Sequence, residues 1–166
     1  LDESIAPDDR DLSGTVIRSN NPIWVVGGSR CSRIPTREFP PQGFCDPLQE
    51  VMIPVKHWGN EYVAAHPPLR GQTNNDDDGE RHYWRIFAGG KDTTTFTTEP
   101  NVLDETNCPE PATFADGECT LPQRGAWVEV SVPFGESFVV KGNTDADALM
   151  VVGYLLVLAW NEDFGS

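Results

Sequence analysis

The chain has 166 residues, of which 38% are hydrophobic, and both values suit one globular domain with its own core. It carries 12 basic residues against 26 acidic residues, which gives a formal net charge of −14. A nucleic-acid-binding protein needs a basic face, and an anionic membrane surface repels an acidic chain, so this balance argues against both partners. The longest apolar run, Ala148 to Trp160, is shorter than the roughly 20 residues of a membrane-spanning helix.

Strand patterns recur along the chain, whereas Pro and Gly are spread too widely for long helices. In chain order, the candidate strands read GTVIRS, PIWVVGG, EVMIPV, NEYVAAH, RHYWRIFAGG, KDTTTFTTEP, AWVEVSVPF, ESFVVKG and ALMVVGYLLVLAW. Short strands separated by turn signals are typical of sandwiches and barrels. The sequence therefore predicts an all-β fold, an antiparallel β-sandwich of jelly-roll-like form with disulfide-closed loops.

Two neighbouring segments are predicted to be strands that pair with each other. The segment from Arg81 to Gly90 places two sets of side chains on opposite faces of a strand, Tyr83, Arg85 and Phe87 against His82, Trp84 and Ile86. The threonine-rich segment that follows is predicted to pair with it across the turn at Gly89 to Asp92.

A weak internal repeat joins the two ends of the chain. Ile17 to Gly28 and Phe138 to Tyr154 both run from an apolar segment through a polar turn to an apolar run containing Val-Val-Gly. We interpret each copy as a hairpin whose second arm is buried. Chance similarity between two β-hairpins is the alternative.

Four cysteines form two local pairs, Cys31 with Cys45 and Cys108 with Cys119, and each pair flanks a loop rich in Pro and Gly. Neither pair has the CxxC spacing that is common in zinc sites. The pattern predicts two disulfides, each worth about 3 kcal/mol in the chain-entropy model, and an oxidising compartment. Free buried thiols and metal or catalytic cysteines are the alternatives.

The acidic stretch NNDDDGE is the candidate metal site, because Asn74, Asp76 and Asp78 alternate before a glycine as oxygen ligands do in calcium loops. An EF-hand would require Glu at the position of Arg85, so only a simpler Ca²⁺ loop remains. A solvated acidic loop without a metal is the alternative. Ca²⁺ is the one cofactor that the sequence suggests.

The tryptophans Trp84 and Trp127 are the candidate binding residues, since exposed aromatic rings can form a platform for a glycan. Packing within the sheets is the alternative for both. The three histidines match no HExxH pattern, and the chain contains neither a GxSxG elbow nor a GxGxxG loop. We therefore expect no enzymatic activity.

A more specific order of residues runs from the first copy of the repeat to Val63. It comprises Gly27, Gly28, Cys31, Cys45, Asp46, Leu48, Glu50, Pro54, Trp58, Gly59, Tyr62 and Val63. With the later YWRIFAGGKDTTTFTT, GAWVEV and FVVKGNTDADALMVVGYLL, this order resembles the N-terminal region of IgGFc-binding proteins and their bacterial relatives, from about Ser13 to Leu156. Pro47 departs from the pattern, because the family often has His there. The resemblance implies an extracellular β-rich module of a large secreted or surface protein; antibody binding is not transferred.

We divide the chain into an N-terminal extension (1–12), one β-sandwich domain (13–160), and a C-terminal tail or the start of a linker (161–166). The expected function is that of a non-catalytic extracellular adhesion or structural module, in a larger secreted or cell-surface protein. Its expected partners are other proteins or neighbouring domains of the same parent. A Ca²⁺-assisted carbohydrate-binding module with a glycan ligand is the alternative, and a hydrolase domain is the second alternative.

Overall fold

The computed structural model describes residues 12–32, 46–68, 82–133 and 135–154, and this part of the chain is built of strands without α-helices. The strands are β1 (Val26–Ser32), β2 (Asp46–Val51), β3 (Glu61–Ala64), β4 (His82–Ala88), β5 (Thr94–Glu99), β6 (Thr113–Ala115), β7 (Glu118–Leu121), β8 (Trp127–Val132), β9 (Phe138–Gly142) and β10 (Leu149–Tyr154). A 3₁₀ turn at Val55–His57 leads into β3. The all-β prediction is confirmed, and these residues include no helix that could cross a membrane.

Eight of these strands form two antiparallel sheets with the connectivity of a jelly roll. One sheet has the order β10-β4-β8 and the other has the order β3-β9-β5-β7-β6. From β3 to β5 and again from β7 to β10, each strand lies in the sheet opposite to its predecessor. The pairs β3–β9, β4–β8 and β5–β7 therefore join strands that are distant in sequence, as the jelly roll requires.

The observed strand pairing contradicts all three predicted hairpins. β4 and β5 do not pair across Gly89 to Asp92, because β4 lies between β10 and β8 whereas β5 lies between β9 and β7. The repeat near the C-terminal end is not a hairpin either, since β9 and β10 belong to different sheets. In its other copy, the strand β1 begins at Val26 and pairs with β2, so the preceding residues are not its partner strand.

The core fills the space between the two sheets. The alternating pattern of β8 buries Val128, Val130 and Val132, and the same period in β5 and β9 buries Phe96, Phe138 and Val140. The inward residues Ile86 and Leu149 come from β4 and β10. Burial of aliphatic and aromatic side chains from both sheets in one cluster makes this part of the chain a sandwich.

A disulfide between Cys108 and Cys119 links the segment before β6 to β7, which confirms the prediction for the second cysteine pair. Both cysteines are buried, and the loop between them adds Ala112 to the core. The first predicted pair includes Cys45, which lies outside the described residues, so that disulfide stays a prediction.

The strands β1 and β2 form a separate two-stranded sheet, which we call the ribbon. Its register runs from Val26 opposite Val51 to Ser32 opposite Asp46, with an irregularity between Ser29 and Ser32. None of the described side chains in the two strands is buried. The ribbon therefore differs from the sandwich in having no interior of its own.

Candidate functional site

The two tryptophans that the sequence proposes as a binding platform lie on opposite faces of one sheet. Trp84 points into the sandwich, where its ring meets Phe138 edge-to-face with 6.0 Å between centroids. Trp127 lies on the outer face beside Phe87, with 6.2 Å between ring centroids. The two indoles thus do not share a surface, and they cannot act together as a flat platform for one sugar chain.

The outer face of the three-stranded sheet carries a buried ion pair. The Nε atom of Arg85 donates to Oε2 of Glu129 at 3.0 Å, and the two side chains are only 5% and 8% exposed. The Arg85 guanidinium also lies 4.3 Å from the Trp127 ring centroid and 5.2 Å from that of Tyr154. A buried charge is stable only when it is paired and hydrogen-bonded, and the Arg85 guanidinium also stacks on an aromatic ring. The Trp127 ring therefore packs within this cluster.

The segment before β1 lies against this outer face. Ser13 accepts a hydrogen bond of 2.8 Å from Nη1 of Arg85, which joins the segment to the ion pair. Gly14 contacts Gly125 so closely that a Cβ on Gly14 would lie 2.1 Å from the Gly125 carbonyl oxygen. Both glycines have positive φ, 83° and 84° respectively, and the backbones meet only because neither residue has a side chain.

Three connections between the sheets meet at one end of the sandwich and surround a cavity of about 760 Å³. They are the turn from β4 to β5, the turn from β7 to β8 and the turn from β9 to β10. Hydroxyl and amide groups line much of the cavity, namely those of Thr93, Thr95, Thr120, Asn143 and Thr144. The cavity therefore offers many hydrogen-bonding groups and no aromatic surface among its described residues.

The last of these turns is held by Asp147, which is buried. Its Oδ1 atom accepts from the backbone N–H of Thr95 at 3.3 Å. Its Oδ2 atom accepts from the N–H and the hydroxyl of Thr144, each at 2.8 Å. These three donors satisfy the carboxylate locally, so Asp147 is a structural tie between the turn that precedes β10 and strand β5.

Next to this cavity lies a second one of about 410 Å³, and its described lining residues, Arg18, Lys91 and Arg124, are all basic. We call it the basic cavity. Lys91 and Arg124 also line the larger cavity, so the two spaces are adjacent. Sequence analysis did not find this group, because its members are far apart in the chain and each is an isolated basic residue in an acidic sequence.

The Trp-Gly-x-x-Tyr stretch that begins at Trp58 closes the sandwich. The Tyr62 hydroxyl accepts from the Gly59 N–H at 2.8 Å and donates to the Leu149 carbonyl at 2.8 Å. Gly59 also forms a bridge to Leu149 of β10, where its carbonyl accepts at 2.7 Å from the Leu149 N–H. The Trp58 ring lies over Gly89, where a Cβ would come within 2.6 Å of it. The motif is therefore structural.

The match to a known family covers nearly the whole chain and includes this motif. A model of the family described as IgGFc binding protein matches residues 4–159. The chain belongs to the IgGFc-binding protein family. Comparison with curated proteins and with solved structures finds no match. The disulfide and the membership of the IgGFc-binding protein family are both features of extracellular proteins.

For this member of the IgGFc-binding protein family, the calcium candidates Asn74, Asp76 and Asp78 lie outside the described residues. Calcium binding there stays a prediction from the sequence. Among the residues that the structure does describe, no three His, Cys, Asp or Glu side chains come together in a group that could hold a metal ion.

Proposed function

We propose that this chain is a non-catalytic extracellular module of a secreted or cell-surface protein, and that it acts in adhesion or structure through protein–protein contacts. The observation that carries the proposal is the apolar surface of the ribbon and the residues beside it. Its large exposed side chains are Ile23, Trp24, Val26, Leu48, Val51, Met52 and Ile53. Trp24 is 79% exposed, which is unusual for the largest apolar side chain of a protein.

The ribbon supports a binding role because it is incomplete as a folding unit. A two-stranded sheet alone in water is marginally stable at best, and it gains stability when one face packs on another surface. Contiguous exposed apolar patches of soluble proteins mark interaction sites. An added Cβ on Gly27 would lie 3.1 Å from the Met52 methyl carbon, so the Met52 side chain lies close to β1 while it remains 45% exposed.

The charge of the chain favours a protein as the occupant of this surface. A lipid bilayer with anionic head groups repels a chain of net charge −14, and a second copy of the chain would bring another −14 to the contact. A neutral or basic protein surface with an apolar centre meets neither penalty. We therefore expect a different protein, or another domain of the parent protein, to cover the ribbon.

Site-specific photo-crosslinking in the producing cell tests this proposal. A photoreactive residue at position 24 is expected to give a covalent product with a second polypeptide segment, because Trp24 would lie in the buried centre of the contact. The matched control is position 63, where Val63 is 72% exposed on β3, outside the ribbon. Equal products at both positions, or none at position 24, would contradict the proposal.

Affinity measurements with the captured partner then test the energetics. Exposed tryptophans that become central in an interface commonly contribute about 2 kcal/mol or more, so Trp24→Ser is expected to weaken binding about thirtyfold. Val63→Ser should leave the affinity unchanged. A partner that binds the Trp24→Ser and wild-type proteins equally would rule out the ribbon as its site.

The carbohydrate-binding alternative has a direct test through its calcium loop. If Asn74, Asp76 and Asp78 hold Ca²⁺, excess calcium should raise Tm relative to EDTA, because a ligand of the folded state stabilises it in proportion to the logarithm of its concentration. An Asp76→Asn, Asp78→Asn double variant should abolish the shift. A wild-type Tm that is equal in calcium and EDTA would remove calcium from the proposal.

A further inference from the structure

We propose that the basic cavity binds the acidic group of an anionic saccharide, and that the adjacent cavity binds the hydroxyl groups of the same ligand. The first observation is the concentration of positive charge. Only 12 of 166 residues are basic, yet Arg18, Lys91 and Arg124 line one cavity. Like charges that line one cavity repel each other, and an anion bound between them would lower that repulsion, so the arrangement favours an anionic ligand.

The three basic side chains are available for such a ligand. Among the described residues, one ion pair is found, between Arg85 and Glu129. No described carboxylate pairs with a residue of the basic cavity. Lys91 and Arg18 are exposed, and Arg124 is half-buried. Their positive charges therefore favour a bound anion that is not one of these residues.

Arg124 is held in place before any ligand binds. Its Nε atom donates to the carbonyl oxygens of Gly89 at 2.9 Å and Gly90 at 3.2 Å. This contact uses one of the five N–H groups of the guanidinium, and the two terminal nitrogens make no hydrogen bond with the described residues. A fixed guanidinium with a free fork is suited to a carboxylate or a sulfate ester, which it can bind through two parallel hydrogen bonds.

The larger cavity determines what the rest of the ligand must be. Its threonine and asparagine groups provide neutral donors and acceptors, and Thr95 and Thr120 already lie 2.9 Å apart through their hydroxyl oxygens. Asp92 and Glu118 also line it, and their carboxylates can accept hydrogen bonds from hydroxyl groups. A hydroxyl-rich, uncharged segment fits this lining, and a saccharide has that chemistry.

The two cavities together favour a single acidic group over a polyanion. An anion in the basic cavity meets three positive charges, whereas an anion in the larger cavity meets the carboxylates of Asp92 and Glu118 beside the shared Lys91 and Arg124. A densely sulfated polymer would place negative charge in both. The expected ligand is therefore a saccharide with one carboxylate or one sulfate ester, such as a sialylated or a singly sulfated disaccharide or trisaccharide unit.

Calorimetric titration of the 166-residue chain tests the site with defined probes. Sialyllactose carries a carboxylate and singly sulfated lactose carries a sulfate ester, so these probes present the two candidate acidic groups. Lactose presents the hydroxyl groups alone, and sodium sulfate presents the anion alone. We expect at least one acidic saccharide to bind, and to bind at least tenfold more tightly than lactose or sulfate. Higher salt should weaken the binding, because the charges are near the surface.

Lys91→Gln is the principal variant, since Lys91 is exposed and its side chain makes no hydrogen bond with the described residues. The loss of one charged hydrogen bond should lower the affinity about tenfold. The matched control is Lys141→Gln, which removes an exposed lysine of β9 away from both cavities. Arg124→Gln should lower the affinity at least as much, and its Tm shows whether the Gly89 and Gly90 contacts affect stability.

Four results would overturn the inference: no binding of either acidic saccharide, equal binding of lactose, equal binding of sodium sulfate, and equal losses in Lys91→Gln and Lys141→Gln. The test is independent of the ribbon proposal. Trp24→Ser, which should weaken protein binding, is expected to leave the saccharide affinity unchanged. Either proposal can therefore fail while the other one stands.

Discussion

The sandwich of β3 to β10 and the ribbon of β1 and β2 are both antiparallel, yet only the sandwich encloses a core. Alternating strands of the sandwich place Val128, Val130 and Val132 in a shared interior at 0–1% exposure. The ribbon is also rich in apolar residues, but Val26 and Val51, which are paired in its register, remain exposed at 45% and 41%. The residue types are similar in the two regions and their environments are opposite.

The difference shows that apolar content alone does not make a core. Two sheets that face each other can remove both inner faces from water, whereas two strands without a facing layer cannot. Each region should therefore respond differently to the same kind of substitution. The sandwich should lose stability, and the ribbon should lose binding.

The largest effect is expected from the centre of the sandwich. Phe96 is 0% exposed on β5, and Phe96→Ala should lower the free energy of unfolding by about 3–5 kcal/mol, because it removes a buried ring and leaves a cavity. The comparison is Ile53→Ala beside the ribbon, which should change stability by less than about 0.5 kcal/mol. Urea denaturation measures both. Equal losses would mean that the region around the ribbon is as well buried as the sandwich.

The disulfide should have the next largest effect. Replacing Cys108 and Cys119 together by alanine should lower stability by about 3 kcal/mol, because the unfolded chain regains the entropy of an open loop. Thermal unfolding of the double variant, compared with the oxidised wild type, measures the loss. The Tm of the reduced wild-type protein should be no higher than that of the double variant, because reduction also opens the predicted Cys31–Cys45 disulfide; a reduced protein as stable as the oxidised one would contradict the role of this crosslink.

A glycine comparison isolates the contact of the segment before β1 with the sandwich. Gly125→Ala should cost about 1–3 kcal/mol, since its positive φ strains alanine and the new Cβ would lie 2.2 Å from the Gly14 carbonyl oxygen. Gly135 has the same type of backbone conformation, with φ of 82°, but nothing lies within 4 Å of an added Cβ. Gly135→Ala therefore reports the strain alone. If the two variants lose equal stability in chemical denaturation, the Gly14–Gly125 contact contributes nothing.

The smallest effect in the series concerns the Tyr62 hydroxyl. Tyr62→Phe keeps the ring but leaves the Gly59 N–H and the Leu149 carbonyl without this partner, so the expected loss is about 1–2 kcal/mol. Hydrogen exchange should locate the change at the amide of Gly59. An unchanged exchange rate at that amide would show that water replaces the hydroxyl without cost.

Strand positions and faces could be predicted from the sequence because they depend on local alternation. The period-2 pattern of Tyr83 to Phe87 corresponds to β4, which has the predicted faces, and the candidate strand AWVEVSVPF contains β8. The second cysteine pair was also predictable, since its loop is short. The family could be recognised from Trp58, Gly59 and Tyr62 together with the cysteine order.

Strand pairing was less accessible, because neighbours in sequence are not neighbours in a jelly roll. The turn after Gly89 has the residues of a hairpin turn, yet β4 and β5 pack face to face in different sheets. No local pattern distinguishes a turn within a sheet from a turn between sheets. The basic cavity was inaccessible for the same reason, since Arg18, Lys91 and Arg124 come together only through long-range pairing.

The alternation of successive strands between two sheets also constrains when the protein can fold. β3 pairs with β9, and the Tyr62 hydroxyl bonds to Leu149, 87 positions later in the chain. Contacts between residues this far apart in sequence form slowly, because the intervening chain must lose conformational entropy before the contacts can stabilise it. During synthesis, the five-stranded sheet lacks β9 and the facing sheet lacks β10 until nearly all of the described residues have been made. The sandwich can therefore close only after β9 and β10 are available to pair.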